Sequence, residues 1–235
     1  MNDEARHNQF SFIWQNSIQC IEKSAWEELT QKTCTPFMDW QWLCLLETSG
    51  SLAPDTGWQP QYLTVYRSDR LVAAAPLFIK IHSEGEFVFD QAWAQLGERM
   101  GLAYYPKMVG MSPFTPIGAF RFLIAPGENH IPLVQSMQSE IDRFSIENQL
   151  SSCHYQFLET GWGHELQEWG MIPWVHPGFE WVNQGYESFD DFLAAFRSSR
   201  RKNIKKERMR LAEQGIRFEI LSGEAIQEVH LAWMY

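Results

Sequence analysis

Three observations predict an α/β chain of the α+β kind, built on a mixed sheet with helices packed against it. Stretches with strand-like alternation are interspersed with stretches of helical periodicity along the whole sequence. Residues 61–67 and 71–82 form a hairpin pattern joined by Ser68-Asp69-Arg70. The composition, 45% hydrophobic and 14% aromatic with 11 Trp in 235 residues, is ample for a core and excludes a disordered chain.

Taken in order, residues 10–13 and 17–20 read as a short strand and a turn. Residues 25–31 and 37–49 read as helices, the second with Phe37, Trp40 (or Gln41), Cys44 and Leu45 on one stripe. Ser49-Gly50 and the run Pro54-Asp55-Thr56-Gly57 are turn chemistry. In the hairpin's second strand the apolar run is continuous, as in a strand covered on both faces. Residues 86–100 read as a strand end passing into a helix that stops at Gly101. Strands are expected at 107–111 and 120–125 around the proline-rich loop SPFTPIG, then a helix at 133–148, a strand at 154–158, a short helix at 165–170 and strands at 179–183 and 216–221. A final amphipathic helix is expected to begin at residue 224, with Ile226, Val229, Ala232 and Trp233 at helical spacing. The bulky apolar end, Trp233-Met234-Tyr235, predicts a chain that continues in a longer protein. Two domains are expected, at residues 1–183 and 184–235, with the second truncated.

Several classes are excluded or bounded. The longest apolar run, residues 71–79, is nine residues long and contains Pro76, too short for a membrane span. The N-terminus lacks a basic head followed by an apolar stretch, so no secretory signal is read. Cys20, Cys34, Cys44 and Cys153 show no CxxC spacing, which points to reduced thiols in a cytoplasmic protein. The histidines His7, His82, His130, His154, His164, His176 and His230 show no metal-ligand spacing, so no metal site is expected. No GxSxG, P-loop or GxGxxG motif occurs.

Charge is distributed very unevenly. The chain carries −10 overall, yet the window 197–210 holds eight Lys and Arg against Glu207 alone. That is +7, and it leaves −17 on the remainder. Such a local inversion suits an anionic partner. Ser188 is placed to cap a helix with Asp190 and Asp191 in its first turn and bases in later turns. On one continuous helix, Phe189, Leu193, Phe196, Ile204 and Leu211 mark a buried stripe that also holds Arg200 and Asn203, where a cation and an amide need an anionic partner. On the alternative reading Ser198-Ser199 breaks the segment in two and resets the phase. A solvated basic face is the plainer reading, and nucleic-acid binding is admitted by charge alone.

Two further constellations carry chemistry. Tyr104-Tyr105-Pro106-Lys107, with Ser112-Pro113-Phe114-Thr115-Pro116, suits a proline-stiffened groove wall whose Tyr hydroxyls and Lys107 bind or polarise a carbonyl. The competing reading is an aromatic structural turn. Residues 84–90, with Asp90, offer carboxylates for general-base work, against the reading of simple hydrogen-bonded structure.

The ordered series DTGW, RLVAAAPLFIK, GEFVFDQAWA, YYPK, PFTP and SFDDFLAAF…SSRRKNIKKERMRLAEQGI resembles the bacterial N-acyltransferases of the FemAB-like group, within the GNAT acyltransferase superfamily. It runs over essentially the whole chain from about Ser17. The resemblance implies tandem GNAT-like domains with a mostly antiparallel sheet, of which this chain holds the first and the opening of the second. It implies transfer of an activated acyl or aminoacyl group to an amine, with acyl-CoA or aminoacyl-tRNA as donor and a cell-wall precursor as acceptor. The Arg-Lys-Asn-Ile-Lys-Lys stretch is similar to a helix of Fem-type aminoacyltransferases. Two features depart from the pattern. The Gln/Arg-x-x-Gly-x-Gly/Ala loop is absent, Gln95-Leu96-Gly97 lacking its spacing, and IGAFRFL, with Arg121, stands where a Gly-Pro-Arg is implied. The candidate site residues are therefore Asp90, as base, and Lys107 for catalysis; Tyr104, Tyr105, Lys107, Phe114 and Thr115 for the groove; and Arg200, Arg201, Lys202, Asn203 and Lys205 for an anionic or peptide-like substrate. The alternative is a non-catalytic module that binds a cell-wall precursor or RNA.

Overall fold

The computed structural model describes residues 10–31, 33, 35–159 and 161–234, so the expectations on His7, Cys34 and Tyr235 lie outside the described residues. The chain divides into two compact units, Met1–Trp174 and Val175–Tyr235.

The first unit is built on a six-stranded sheet. Strand β1 (Phe10–Gln15) is followed by helices α1 (Lys23–Thr30) and α2 (Trp40–Thr48), then by β2 (Trp58–Arg67) and β3 (Arg70–Lys80). After α3 (Gln91–Arg99) come β4 (Lys107–Gly110), β5 (Leu123–Ile124), α4 (His130–Glu147), β6 (Cys153–Tyr155) and α5 (Trp162–Glu168). The strand order is β1-β2-β3-β4-β6, with β5 on β3; every pair is antiparallel except β4–β6, which is parallel. This is the mixed sheet with helices that the sequence pattern predicts, and its mostly antiparallel pairing is the one the resemblance implies.

Strand β3 is central, which explains its unbroken apolar run. One side pairs with β2 along its length; the other pairs with β5 at Ala73–Ala74 and with β4 from Leu77 to Lys80. Pro76, which has no N–H to give, falls in the gap between those two ladders. Helices cover both faces. Trp14 stacks on Phe144 of α4 at 4.0 Å and lies opposite Leu63 in the β1–β2 ladder. Tyr62 therefore points to the other face, where it meets Trp26 of α1 edge-on at 5.8 Å. Its hydroxyl donates to Glu47 of α2 (2.7 Å), which also receives Ser17 Oγ and the Ile18 N–H, so one carboxylate ties α2 to the sheet and to the loop before α1.

Several boundaries differ from expectation. Residues 17–20 contain a 3₁₀ turn, Ile18–Cys20, because Ser17 caps it by accepting the Gln19 N–H. The helix expected at 37–49 is split, since Asp39 is extended and separates the turn Pro36–Met38 from α2. Residues 86–90 form a loop, not a strand end. The strand at 120–125 shrinks to Leu123–Ile124 plus a bridge from Phe120 to Leu158.

The second unit contains α6 (Phe189–Ala194), α7 (Ser198–Glu213) and α8 (Glu228–Ala232). The strands expected at 179–183 and 216–221 do not form. Phe179 is 98% and Ile220 95% exposed, and neither segment has a ladder partner among the described residues. A strand pattern needs a neighbouring strand, and here none is supplied. The expected terminal helix is reduced to a 3₁₀ turn at Gly223–Ala225 and the short α8.

Candidate functional site

Lys80 ends β3 and Lys107 begins β4, and the two are direct partners in the ladder. Directly opposed side chains share one face, so two cations are brought together, which is unfavourable unless they are answered. Both are fully buried. The answer comes from the loop before α3. Lys107 Nζ donates to Asp90 Oδ2 (2.7 Å), Glu86 Oε2 (2.9 Å) and Ser83 Oγ (2.8 Å). Asp90 Oδ2 also accepts from Ser83 Oγ (2.9 Å) and the Tyr104 hydroxyl (2.8 Å), and Glu86 Oε2 accepts from Gln156 Nε2 (2.7 Å). The Tyr105 hydroxyl lies 2.8 Å from Ser83 Oγ. Lys80 Nζ sits 3.6 Å from the centre of the Trp58 ring and donates to the Glu84 carbonyl (3.2 Å).

The local chain explains the convergence. Asp90 occupies the N-cap position of α3 without capping it, because its carboxylate is turned to Lys107. The loop reverses through Gly85 (φ +77) and Phe87 (φ +56). Gly85 is required there, since a Cβ would lie 2.9 Å from the Phe114 ring. Burial pulls the Lys80 ammonium down to about 7, with the Glu86 charge opposing and Lys107 assisting. Burial raises Asp90, but hydrogen bonds from Lys107, Ser83 and Tyr104 outweigh it and hold the carboxyl below its usual range. Burial, reinforced by the hydrogen bond to Asp90, keeps Tyr104 protonated. Burial and then Lys107 push His154 of β6 down to about 4, so its imidazole is neutral at pH 7. Within this cluster three buried oxygens have no hydrogen-bond partner among the described residues: Glu86 Oε1, Asp90 Oδ1 and Gln156 Oε1.

The structure thus brings Asp90, Tyr104, Tyr105 and Lys107 into one cluster. It corrects one expectation about them. Lys107 does not line an exposed groove; it is buried, because the 83–90 loop fills the space in front of it. Asp90 is hydrogen-bonded structure, as the plainer reading of residues 84–90 has it, and is ion-paired with Lys107. Phe114 belongs to the wall beneath, 4.8 Å from Trp58, while Thr115 is held in a turn by its own bond to the Pro113 carbonyl (3.0 Å) and does not join the cluster. Lys80, Ser83, His154 and Gln156 were not singled out as site residues. The one available signal was a lysine closing an otherwise unbroken apolar strand. Arg121, in the departing loop, pairs with Glu159 at 2.7 Å.

In the second unit, Ser188 caps α6 by accepting the Asp191 N–H (3.1 Å), as expected. The helix then breaks at Ala195–Arg197, where Arg197 is non-helical (ψ 147), and α7 starts in a new phase. Arg201, Ile204 and Leu211 become the half-buried side. Arg200 and Asn203 are therefore exposed, which overturns their placement on an inward stripe. Lys202 and Lys205 are exposed as well. Lys205 pairs with Asp190 (2.9 Å), Arg201 reaches the Ala194 carbonyl (3.4 Å) and Arg208 lies over Phe189. Arg197, Arg200, Lys202, Lys206 and Arg210 form no ion pair among the described residues.

Residues 17–235 match the family model of the FemAB-like proteins, described as peptidoglycan biosynthesis/recognition. No curated protein sequence matches the chain. Among solved structures, a GCN5-related N-acetyltransferase from Ralstonia eutropha JMP134 aligns with a TM-score of 0.43 and 10% identity, over 73% of this chain and 98% of that one. Among the described residues no helix is long and apolar enough to cross a membrane, and no cluster of His, Cys, Asp or Glu is arranged to hold a metal.

Proposed function

The chain belongs to the FemAB-like family, and from that premise we propose that it transfers an activated acyl or aminoacyl group to an amine on a peptidoglycan precursor. The family match over residues 17–235 carries this reading. In such a reaction the amine lone pair attacks the acyl carbon, a tetrahedral oxyanion forms and collapses, the bond to the donor's carrier breaks with its electron pair going to the carrier, and the proton lost by the amine ends on that departing carrier. The protein's work is to align the two substrates and to offer hydrogen-bond donors to the oxyanion. The exposed bases of α7, with Arg200, Lys202 and Lys205 foremost, suit the anionic portion of a precursor or of a tRNA donor. Tyr105 brings a hydroxyl to the start of β4 that can donate, while the Tyr104 hydroxyl proton is committed to Asp90, which is held ionised.

The second reading is a recognition module that binds the precursor without modifying it, and the family's description names recognition beside biosynthesis. One experiment separates the two. The chain is incubated with a muramyl-peptide precursor and either acyl-CoA or aminoacyl-tRNA, and products are read by mass spectrometry while precursor binding is followed by titration. A new amide supports the transferase. Saturable precursor binding with no amide from either donor supports the module, and neither binding nor product removes both readings.

A further inference from the structure

Lys80 and Lys107 project side by side from neighbouring strands, and one loop covers both, with the Glu86 and Asp90 carboxylates on Lys107 and the Glu84 carbonyl on Lys80. We propose that this pair of lysines is a binding site for a phosphoryl dianion, closed in this structure by Glu86 and Asp90 as internal stand-ins and opened when such an anion displaces the loop.

The charge balance favours this ligand class. Glu86 and Asp90 pair with Lys107 and the Glu86 charge also acts on Lys80, so the two carboxylates balance the lysine pair once Lys80 is charged, and a phosphoryl dianion restores that balance when they leave. The hydrogen bonding favours it too. Once Glu86 and Asp90 swing out, Lys107 Nζ, Gln156 Nε2 and the Tyr104 hydroxyl all lose their acceptor, and phosphoryl oxygens are acceptors of the kind they require. The closed state, meanwhile, is imperfect: each stand-in carboxylate leaves one oxygen buried without a partner, as does Gln156. Finally, the cover is separable from the core. Residues 83–90 contain no helix or strand, and Phe87 (52%) and Phe89 (79%) turn their rings outward, so lifting the loop does not empty the apolar interior.

The site predicts a pH dependence of its own. Facing Lys80 are Glu84 and Glu86 of the loop and Lys107 of β4, with Asp90, Tyr104, Tyr105 and His154 further across the cluster. Because burial holds the Lys80 ammonium down to about 7, a bound dianion that favours its charged form drives proton uptake, and affinity rises as pH falls from about 8.5 to about 7, a range in which the phosphoryl group stays largely dianionic. The inference does not depend on the proposed reaction, since binding is read directly.

The test is calorimetric titration of the full chain with inorganic pyrophosphate. Binding is expected, tighter at about pH 7 than at about pH 8.5, lost on Lys80→Met, and unchanged by Lys23→Ala, an exposed base of α1 outside the cluster, while Arg200→Ala with Lys202→Ala serves to detect capture by α7 instead. The isosteric pair Glu86→Gln and Asp90→Asn takes away the internal competitor and is expected to tighten binding about tenfold. Should that variant fail to fold, deuterium exchange on the unaltered chain decides: pyrophosphate must raise exchange at residues 83–90. Uridine diphosphate and inorganic phosphate serve as further arms; tighter binding of the ester assigns the site to a nucleotide-linked substrate, and tighter binding of phosphate assigns it to the free ion. Binding that survives Lys80→Met, binding abolished only by the α7 variants, unchanged or reduced exchange at 83–90, or no binding of any of the three overturns the proposal.

Discussion

Two groups of basic residues sit in this chain under opposite physical conditions. In the first unit, Lys80 and Lys107 are fully buried, two carboxylates are spent on Lys107, and Lys80 is held by the Glu84 carbonyl and the Trp58 ring. In the second, the window 197–210 holds eight bases in and beside α7, where no residue is buried and a single Lys–Asp ion pair forms among the described residues. The larger charge is the cheaper one to hold, because water screens it. The smaller one has to be answered atom by atom, because removing two ions from water costs several kcal/mol each unless they are paired. Charge density in the sequence therefore points to where an anion is attracted, whereas a sparse lysine in an apolar strand points to where the fold itself is committed.

The largest expected effect breaks the buried half of this comparison. Lys107→Met leaves Glu86 and Asp90 buried without their cation, and the loss in unfolding free energy is expected at roughly 3–5 kcal/mol by chemical denaturation. Removing all three charges together, as Lys107→Met with Glu86→Gln and Asp90→Asn, is expected to recover most of it. If the single variant is as stable as the parent, the cluster contributes nothing to the fold and the contrast with α7 disappears.

A smaller effect sharpens the comparison through pH. The folded protein holds His154 at about 4 against an ordinary 6.5, so between those values the unfolded chain binds a proton that the folded chain does not. Stability from this group is full above pH 6.5 and falls as pH drops toward 4. Lys80 has the same sign higher up: its ammonium sits at about 7 against 10.5, so stability rises with pH above 7. His154→Gln is expected to flatten the profile between pH 5 and 6.5, and Lys80→Met between pH 7 and 8.5, both read from denaturation midpoints across the range. Unaltered slopes mean that these groups are more solvated than their burial indicates.

The central hairpin, the helices of the first unit and the break-point residues around Ser198 were legible in the sequence because each rests on local pattern. The continuous run in β3 announced a strand covered twice, and Ser188 announced its cap. The segments at residues 179–183 and 216–221 misled because alternation specifies a strand only where a neighbour exists to pair with it. Of the site, Tyr104, Tyr105, Lys107 and Asp90 were legible as chemistry but not as a unit. Lys107 and Asp90 are 17 residues apart, and their contact depends on a turn through Gly85 and Phe87 that no periodicity encodes. Lys80 and Gln156 stayed silent for the same reason: their roles come from the β3–β4 register and the β6 edge.

The smallest effect tests the solvated half. Since Arg197 resets the helix phase, Arg200, Asn203 and Lys206 all face outward, and none is tied to another side chain among the described residues. Substituting any one of them by Ala is expected to leave the thermal midpoint unchanged within error, because Ala is the better helix former and no packing is lost. Lys205→Ala removes the bridge to Asp190 and is expected to do scarcely more, since exposed pairs are screened. Binding of an anionic precursor or tRNA is a separate readout on the same variants. If α7 acts as a diffuse basic surface, Arg200→Ala and Lys206→Ala weaken binding equally, each lessens its salt dependence, and Asn203→Ala does neither. A large loss from Arg200→Ala with none from Lys206→Ala contradicts that, and restores a directional contact on one side of the helix.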